Sequence, residues 1–192
     1  RRVGCDTALA LIQQGIIKSR WIYSGDADAQ WPCGFFDSDW PAQYSAICLP
    51  FTHDAAGDPE VAAATLIYEL KLHHYVLHLQ RSGSPYAFHA LGSSCIFNSA
   101  AYAAVRGVPL RSAGEDFYLL NKLAKVGPIH AARGCGVTLE SRRSGRAPFG
   151  TGPAVSELLR AEHPSEVPIF YDARCFSVLS TVLERFNQWI FK

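Results

Sequence analysis

Short apolar runs of strand length alternate with longer helical patterns along this chain, and that alternation limits its fold more than any other feature. Residues 20–24 hold the aromatic run Trp21-Ile22-Tyr23, and residues 44–51 carry Ile47 and Leu49 inside a second apolar run. Both read as buried strands. Residues 86–97 read as a strand broken at Gly92-Ser93-Ser94, and 129–132 and 137–139 as further short strands. Residues 6–14 are rich in Ala, Leu and Gln and end at Gly15, as a helix with a glycine cap does. Residues 60–80 place Val61, Ala64, Leu72, Tyr75 and Leu79 near one helical stripe. Asn98 is placed to cap a short helix through Val105. Residues 114–126 form the clearest helix, stopped by Gly127-Pro128, and helices over 154–162 and 172–191 close the sequence. Such alternation predicts an α/β domain with a largely parallel sheet, whose ligands sit beyond the carboxyl ends of the strands.

Composition narrows the function classes. The 192 residues, 48% hydrophobic and 18% charged, have a globular balance and suit a sizeable core. A formal net charge of +1 argues against a broad nucleic-acid footprint. The 6 cysteines are widely spaced with no Cys-x-x-Cys, which reads as buried free thiols in a reducing cytoplasm. No apolar run is long enough to cross a bilayer. The last helix is amphipathic; it docks on the domain or contacts a membrane surface.

Two acidic clusters carry the chemistry. Ser24-Gly25-Asp26-Ala27-Asp28 directly follows the first apolar run. Carboxylates one residue apart in a turn after a strand can both face outward, and the small Ala27 keeps the approach open. Such oxygen ligands suit magnesium or manganese, which leave positions for substrate phosphates. The same pattern also fits a solvated turn. Gly114-Glu115-Asp116 opens the clearest helix. Acids in a first turn interact favourably with the helix dipole. They also suit a general base at a cleft edge, placed to take a proton from an attacking hydroxyl.

A third constellation, residues 140–152, sets Arg142, Arg143 and Arg146 among glycines. It reads either as a lid that clamps phosphate oxygens or as a basic surface loop. His53, His89 and His130 lie near expected strand ends, whereas His73, His74 and His78 belong to the long helix and read as structural. Trp31 and Trp40 follow the first acidic cluster, placed to stack on a sugar or to pack under the loop.

Together these blocks resemble the family 2 glycosyltransferases, which have the A-type nucleotide-sugar transferase fold. The similarity runs through Gly4-Cys5-Asp6-Thr7-Ala8, the Asp26-Ala27-Asp28 turn, Gly92-Ser93-Ser94, and Gly114-Glu115-Asp116 with its Leu-Leu-x-Lys-Leu helix. The resemblance implies an incomplete Rossmann-like fold with a mixed, mostly parallel sheet flanked by helices. The core would span 1–152, with a helical extension over 153–192. It implies an inverting transfer of a sugar from a nucleotide diphosphate sugar to an acceptor hydroxyl, assisted by Mn2+ or Mg2+. Asp116 matches the family's base, and Glu115 would support it. Asp26 and Asp28 match the Asp-x-Asp motif that meets donor and metal, and His130 is the candidate additional metal ligand. Gly92, Ser93, Arg142, Arg143 and Arg146 would face the donor.

One departure shapes the expectations. Family members usually begin with a strand–helix–strand unit that grips the nucleotide base, and nothing of that kind precedes Asp6. The chain is therefore expected to lack that portion, with a sheet edge left open to association of two copies. The competing reading is a catalytically silent fragment that acts as an interaction module. A metal-dependent phosphohydrolase fits less well, because such enzymes gather more metal ligands close together. The expected setting is the cytoplasm, with or without peripheral membrane contact.

Overall fold

Ser24, Cys95, Cys48 and Ala131 stand in one row across a four-stranded sheet, and that row sets out the site. The computed structural model describes residues 1–134, 136–143, 150–161 and 167–190. Two compact units divide the chain: Arg1–Asp54 with Phe88–Glu140, and Ala55–Ala87 with Ser141–Lys192.

The first unit is α/β, with a mixed sheet flanked by helices. Its helices are α1 (Arg2–Gln13), α3 (Ser99–Ala104) and α4 (Glu115–Leu123). Its strands are β1 (Trp21–Ser24), β2 (Ala46–Cys48), β3 (Phe51–His53), β4 (Cys95–Asn98), β5 (Ile129–Ala131) and β6 (Val137–Leu139). The main sheet has the order β1-β4-β2-β5, and β3 pairs with β6 in a second, parallel sheet.

Period-2 alternation assigns successive side chains to opposite faces. Ile22, Ala46, Cys48, Cys95 and Phe97 pack with Tyr102, Leu119, Leu120 and Leu123, so α3 and α4 cover that face together with Leu9 and Ile12 of α1. Trp21, Ile47, Leu49 and Ile96 face the other way, onto Phe35, Val137 and a shell containing Trp31, Trp40 and Tyr44. The strands therefore read as continuous apolar runs because both faces are buried.

The sheet is not mostly parallel. β4 runs antiparallel to both β1 and β2, and in the main sheet only β2 and β5 are parallel. An apolar run buried on both faces has the same pattern in either direction, so the sequence carries no sign of this reversal. Two strand expectations change for local reasons. The run 44–51 splits at Pro50, which has no N–H to donate, and its halves join different sheets. The carbonyl of Pro50 accepts from the Val137 amide at 2.9 Å. The run 86–97 is strand only from Cys95, because a 3-10 turn, Gly92–Ser94, precedes it.

Other local signals act as expected. Asn98 accepts from the amides of Ala100 at 3.0 Å and Ala101 at 3.3 Å, capping α3. Gly114 caps α4 with φ 70°, a conformation that favours glycine.

The second unit holds α2 (Pro59–Arg81), α5 (Thr151–Arg160) and α6 (Ala173–Ile190). Asp58 caps α2 by accepting from the Glu60 amide at 2.9 Å, with Pro59 at the first helical position. Val61, Ala64 and Tyr68 of α2 are buried with Val155 and Leu158 of α5. This packing divides the chain differently from a single boundary at 152: α2 joins the later helices rather than the sheet. Among the described residues no helix is long and apolar enough to cross a membrane.

Candidate functional site

The carboxyl end of β1 leads into Gly25 and Asp26, while the amino end of β4 is preceded by the Gly92–Ser94 turn. Because the two strands are antiparallel neighbours, turn and acidic cluster meet at one end of the sheet. Buried Ser24 fastens them, its Oγ donating to the Gly92 carbonyl at 3.0 Å. Ser93 Oγ donates to Asp26 Oδ2 at 2.6 Å.

The same turn reaches the second cluster. The Gly92 amide donates to Asp116 Oδ2 at 2.9 Å, and the Phe117 amide donates to Asp116 Oδ1 at 2.7 Å. Asp116 is thereby fixed in the first turn of α4, where the dipole favours a carboxylate. Burial nevertheless pushes its carboxyl above the usual range. The Phe117 and Gly92 amides and the Arg1 charge pull it down, and Glu115 adds to the rise.

Arg1 bridges the clusters directly. Its Nη2 pairs with Asp26 Oδ1 at 2.8 Å, and its Nε lies 3.6 Å from Glu115 Oε1. The guanidinium occupies the space over Gly92: a Cβ there would stand 1.6 Å from Arg1 Nη1. Nothing in the sequence pattern singles out Arg1, although the glycine at 92 marks a close approach of some kind. Gly25 has a comparable neighbour, for a Cβ would lie 2.4 Å from the Trp31 ring. Trp31 packs with Phe35 at 4.6 Å between centroids, as the packing alternative for this residue requires.

The histidines expected near strand ends lie elsewhere in the first unit. His130 stacks on Tyr44 at 4.7 Å in β5. That strand is three positions from β1 in the sheet, about 14 Å at usual strand spacing. The sheet therefore does not bring His130 to Asp26. His53 and His89 both lie edge-on to Phe51, at 5.7 and 5.0 Å. Arg142 and Arg143 are exposed residues of the second unit, and Arg146 lies outside the described residues.

Asp26 and Asp28 are exposed carboxylates on one turn, with Asp26 Oδ1 on Arg1 and Oδ2 on Ser93. Magnesium is commonly held by one or two carboxylates, with water and substrate phosphates completing its shell, and the pair matches it in donor chemistry, Arg1 being the cation that Asp26 now holds. Among the described residues no three His, Cys, Asp or Glu side chains gather to hold a metal by themselves. Water or substrate oxygens would complete such a shell.

No family model, no curated protein and no solved structure matches this chain.

Proposed function

We propose that this chain is the catalytic region of an inverting glycosyltransferase similar to family 2, with an A-type, Rossmann-like fold. It would move a sugar from a nucleotide diphosphate sugar to an acceptor hydroxyl. One observation carries the reading: a single turn, Gly92-Ser93, donates to both Asp116 and Asp26. The two carboxylates proposed as base and cation ligand are thereby held on one turn at the strand ends, where α/β sheets take ligands.

The chemistry follows from these positions. Asp116 takes the proton of the acceptor hydroxyl as its oxygen forms a bond to the anomeric carbon. The bond from that carbon to the diphosphate oxygen breaks on the opposite face, which inverts the centre. Asp26 and Asp28 would hold Mn2+ or Mg2+, which when bound supplies countercharge for the departing diphosphate. Raising the Asp116 pKa by burial brings the base nearer to working pH.

Calorimetry with Mn2+ or Mg2+ and a panel of nucleotide diphosphate sugars tests the proposal. Metal-dependent donor binding that is lost in Asp28→Ala is expected. A chain that binds no nucleotide under any metal condition would overturn it. Such a result would favour the silent interaction module. The observation behind that second reading is Arg1, whose guanidinium already compensates Asp26 and Glu115.

A further inference from the structure

Beside Glu115 the first unit carries an open groove of about 570 Å³ whose lining includes Arg1, Arg2, Arg111, Val108, Leu110 and Glu115. That size suits a small ligand. Its charge is uneven. Arg1 is engaged by Asp26 and Glu115, and Arg2 pairs with Asp6 at 3.3 Å. Arg111 pairs with no carboxylate among the described residues; its guanidinium lies over the Tyr118 ring at 3.7 Å from the centroid. Stacking holds the plane of a guanidinium while leaving its edge of N–H donors able to grip a carboxylate or phosphate in two-point fashion.

The wall that carries Arg111 is fixed from below. Arg106 and Gly107 adopt φ values of 62° and 67° and turn the chain out of α3. Val108 donates its amide to the Tyr102 hydroxyl at 3.3 Å, and Lys122 Nζ donates to the Gly107 carbonyl at 3.0 Å. Positive charge is in surplus along this side. Burial, and after it the Arg2 and Arg106 charges, hold the Lys122 ammonium below its usual pKa. Leu110, 84% exposed, adds an apolar surface next to the cationic one, a pairing suited to a sugar ring that bears an acid.

We propose that this groove is the acceptor subsite and that it selects an acceptor carrying a carboxylate or a phosphate, gripped by Arg111. Its position supports the assignment: Glu115, on the groove wall, directly precedes Asp116. The acceptor role rests on the transferase reading above; binding of the anion does not.

The experiment is calorimetric titration of the whole chain with glucuronate, glucose 6-phosphate and glucose, repeated with Arg111→Ala and Arg111→Lys. At least one anionic sugar should bind about tenfold or more tightly than glucose, and Arg111→Ala should lose about tenfold or more of that affinity. Arg111→Lys should fall between, because it keeps the charge and loses the planar fork. Comparison of the two anionic probes separates a carboxylate from a phosphate preference. Equal binding of glucose and both anions, or anion binding untouched in Arg111→Ala, would overturn the groove proposal. Binding of the anions through Arg111 by a chain that binds no nucleotide diphosphate sugar under any metal condition would keep the anion site and sink the transferase reading. Donor binding with no anionic sugar bound would do the reverse.

Discussion

The amide of Gly92 donates to Asp116 across 24 positions of sequence, at 2.9 Å, while the next residue holds Asp26. A carboxylate bound in this way cannot wander, so Asp116 and the turn that carries Asp26 keep a fixed separation. Pre-organisation of this kind lowers the cost of orienting a reacting hydroxyl.

Replacement of the base tests its role most directly. Asp116→Asn keeps size and one acceptor oxygen but removes the proton acceptor. Transfer should fall by about 10²–10⁴-fold, the usual share of general base catalysis, while donor affinity stays within about twofold of the parent. Steady-state rates and calorimetry on the same preparation measure both. Transfer that survives in Asp116→Asn would place the base elsewhere.

The pH dependence follows from the direction of the Asp116 shift. Burial is the largest cause and favours the neutral acid, so the folded pKa lies above the unfolded one. The base works only when ionised. The acid limb of the rate profile should therefore lie above the ordinary carboxylate range, with activity lost as pH falls through it. For stability the sign is opposite: the contribution of Asp116 is fully present below its unfolded pKa and is lost as pH rises through the raised folded value. Rates and urea midpoints measured across the acid range should move in these two directions, and Asp116→Asn should flatten both trends.

Two glycines near the site should respond differently to a methyl group. At Gly92 the obstacle is the end of the Arg1 side chain, 1.6 Å from the added carbon, which can swing away. Gly92→Ala should lose little more than the ion pair, about 1 kcal/mol or less, with Asp26 and Glu115 released from Arg1. At Gly25 the obstacle is the Trp31 indole at 2.4 Å, held by neighbouring aromatics. Gly25→Ala should cost about 1–3 kcal/mol in urea unfolding and displace the turn that carries Asp26. Equal losses at the two positions would mean that Arg1 is as firmly held as Trp31.

How much of this could be read beforehand varies with the physics. β1, the Asn98 cap and the α4 start are written in local residue chemistry, and each stands where that chemistry puts it. The acidic clusters were visible for the same reason. The reversal of β4 was hidden, because Cys95, Ile96 and Phe97 are all buried and supply no directional signal. The Arg1 bridge was hidden too: it depends on α1 beginning beside the Gly92 turn, a tertiary fact with no local signature. Likewise the stripe on α2 identified a packed helix but not its partner, which is α5.

The support beneath the groove centres on one buried tyrosine. Tyr102 is fully buried, donates to Asp6 Oδ1 at 2.7 Å and accepts from the Val108 amide at 3.3 Å. Tyr102→Phe leaves the Val108 amide without its partner and removes a hydrogen bond to a carboxylate, and should cost about 1.5–3 kcal/mol. Gly107→Ala attacks the same joint from the other side. Its φ of 67° disfavours any side chain, and the added carbon would meet the Tyr102 hydroxyl oxygen at 2.8 Å and Asp6 Oδ1 at 3.1 Å. The two effects together should cost about 2–4 kcal/mol. Because both substitutions strike one hydrogen-bonded junction, the double variant should lose less than the sum of the single losses, which urea unfolding of all four chains would measure. Strict additivity would show that Gly107 and Tyr102 hold the 106–112 segment independently.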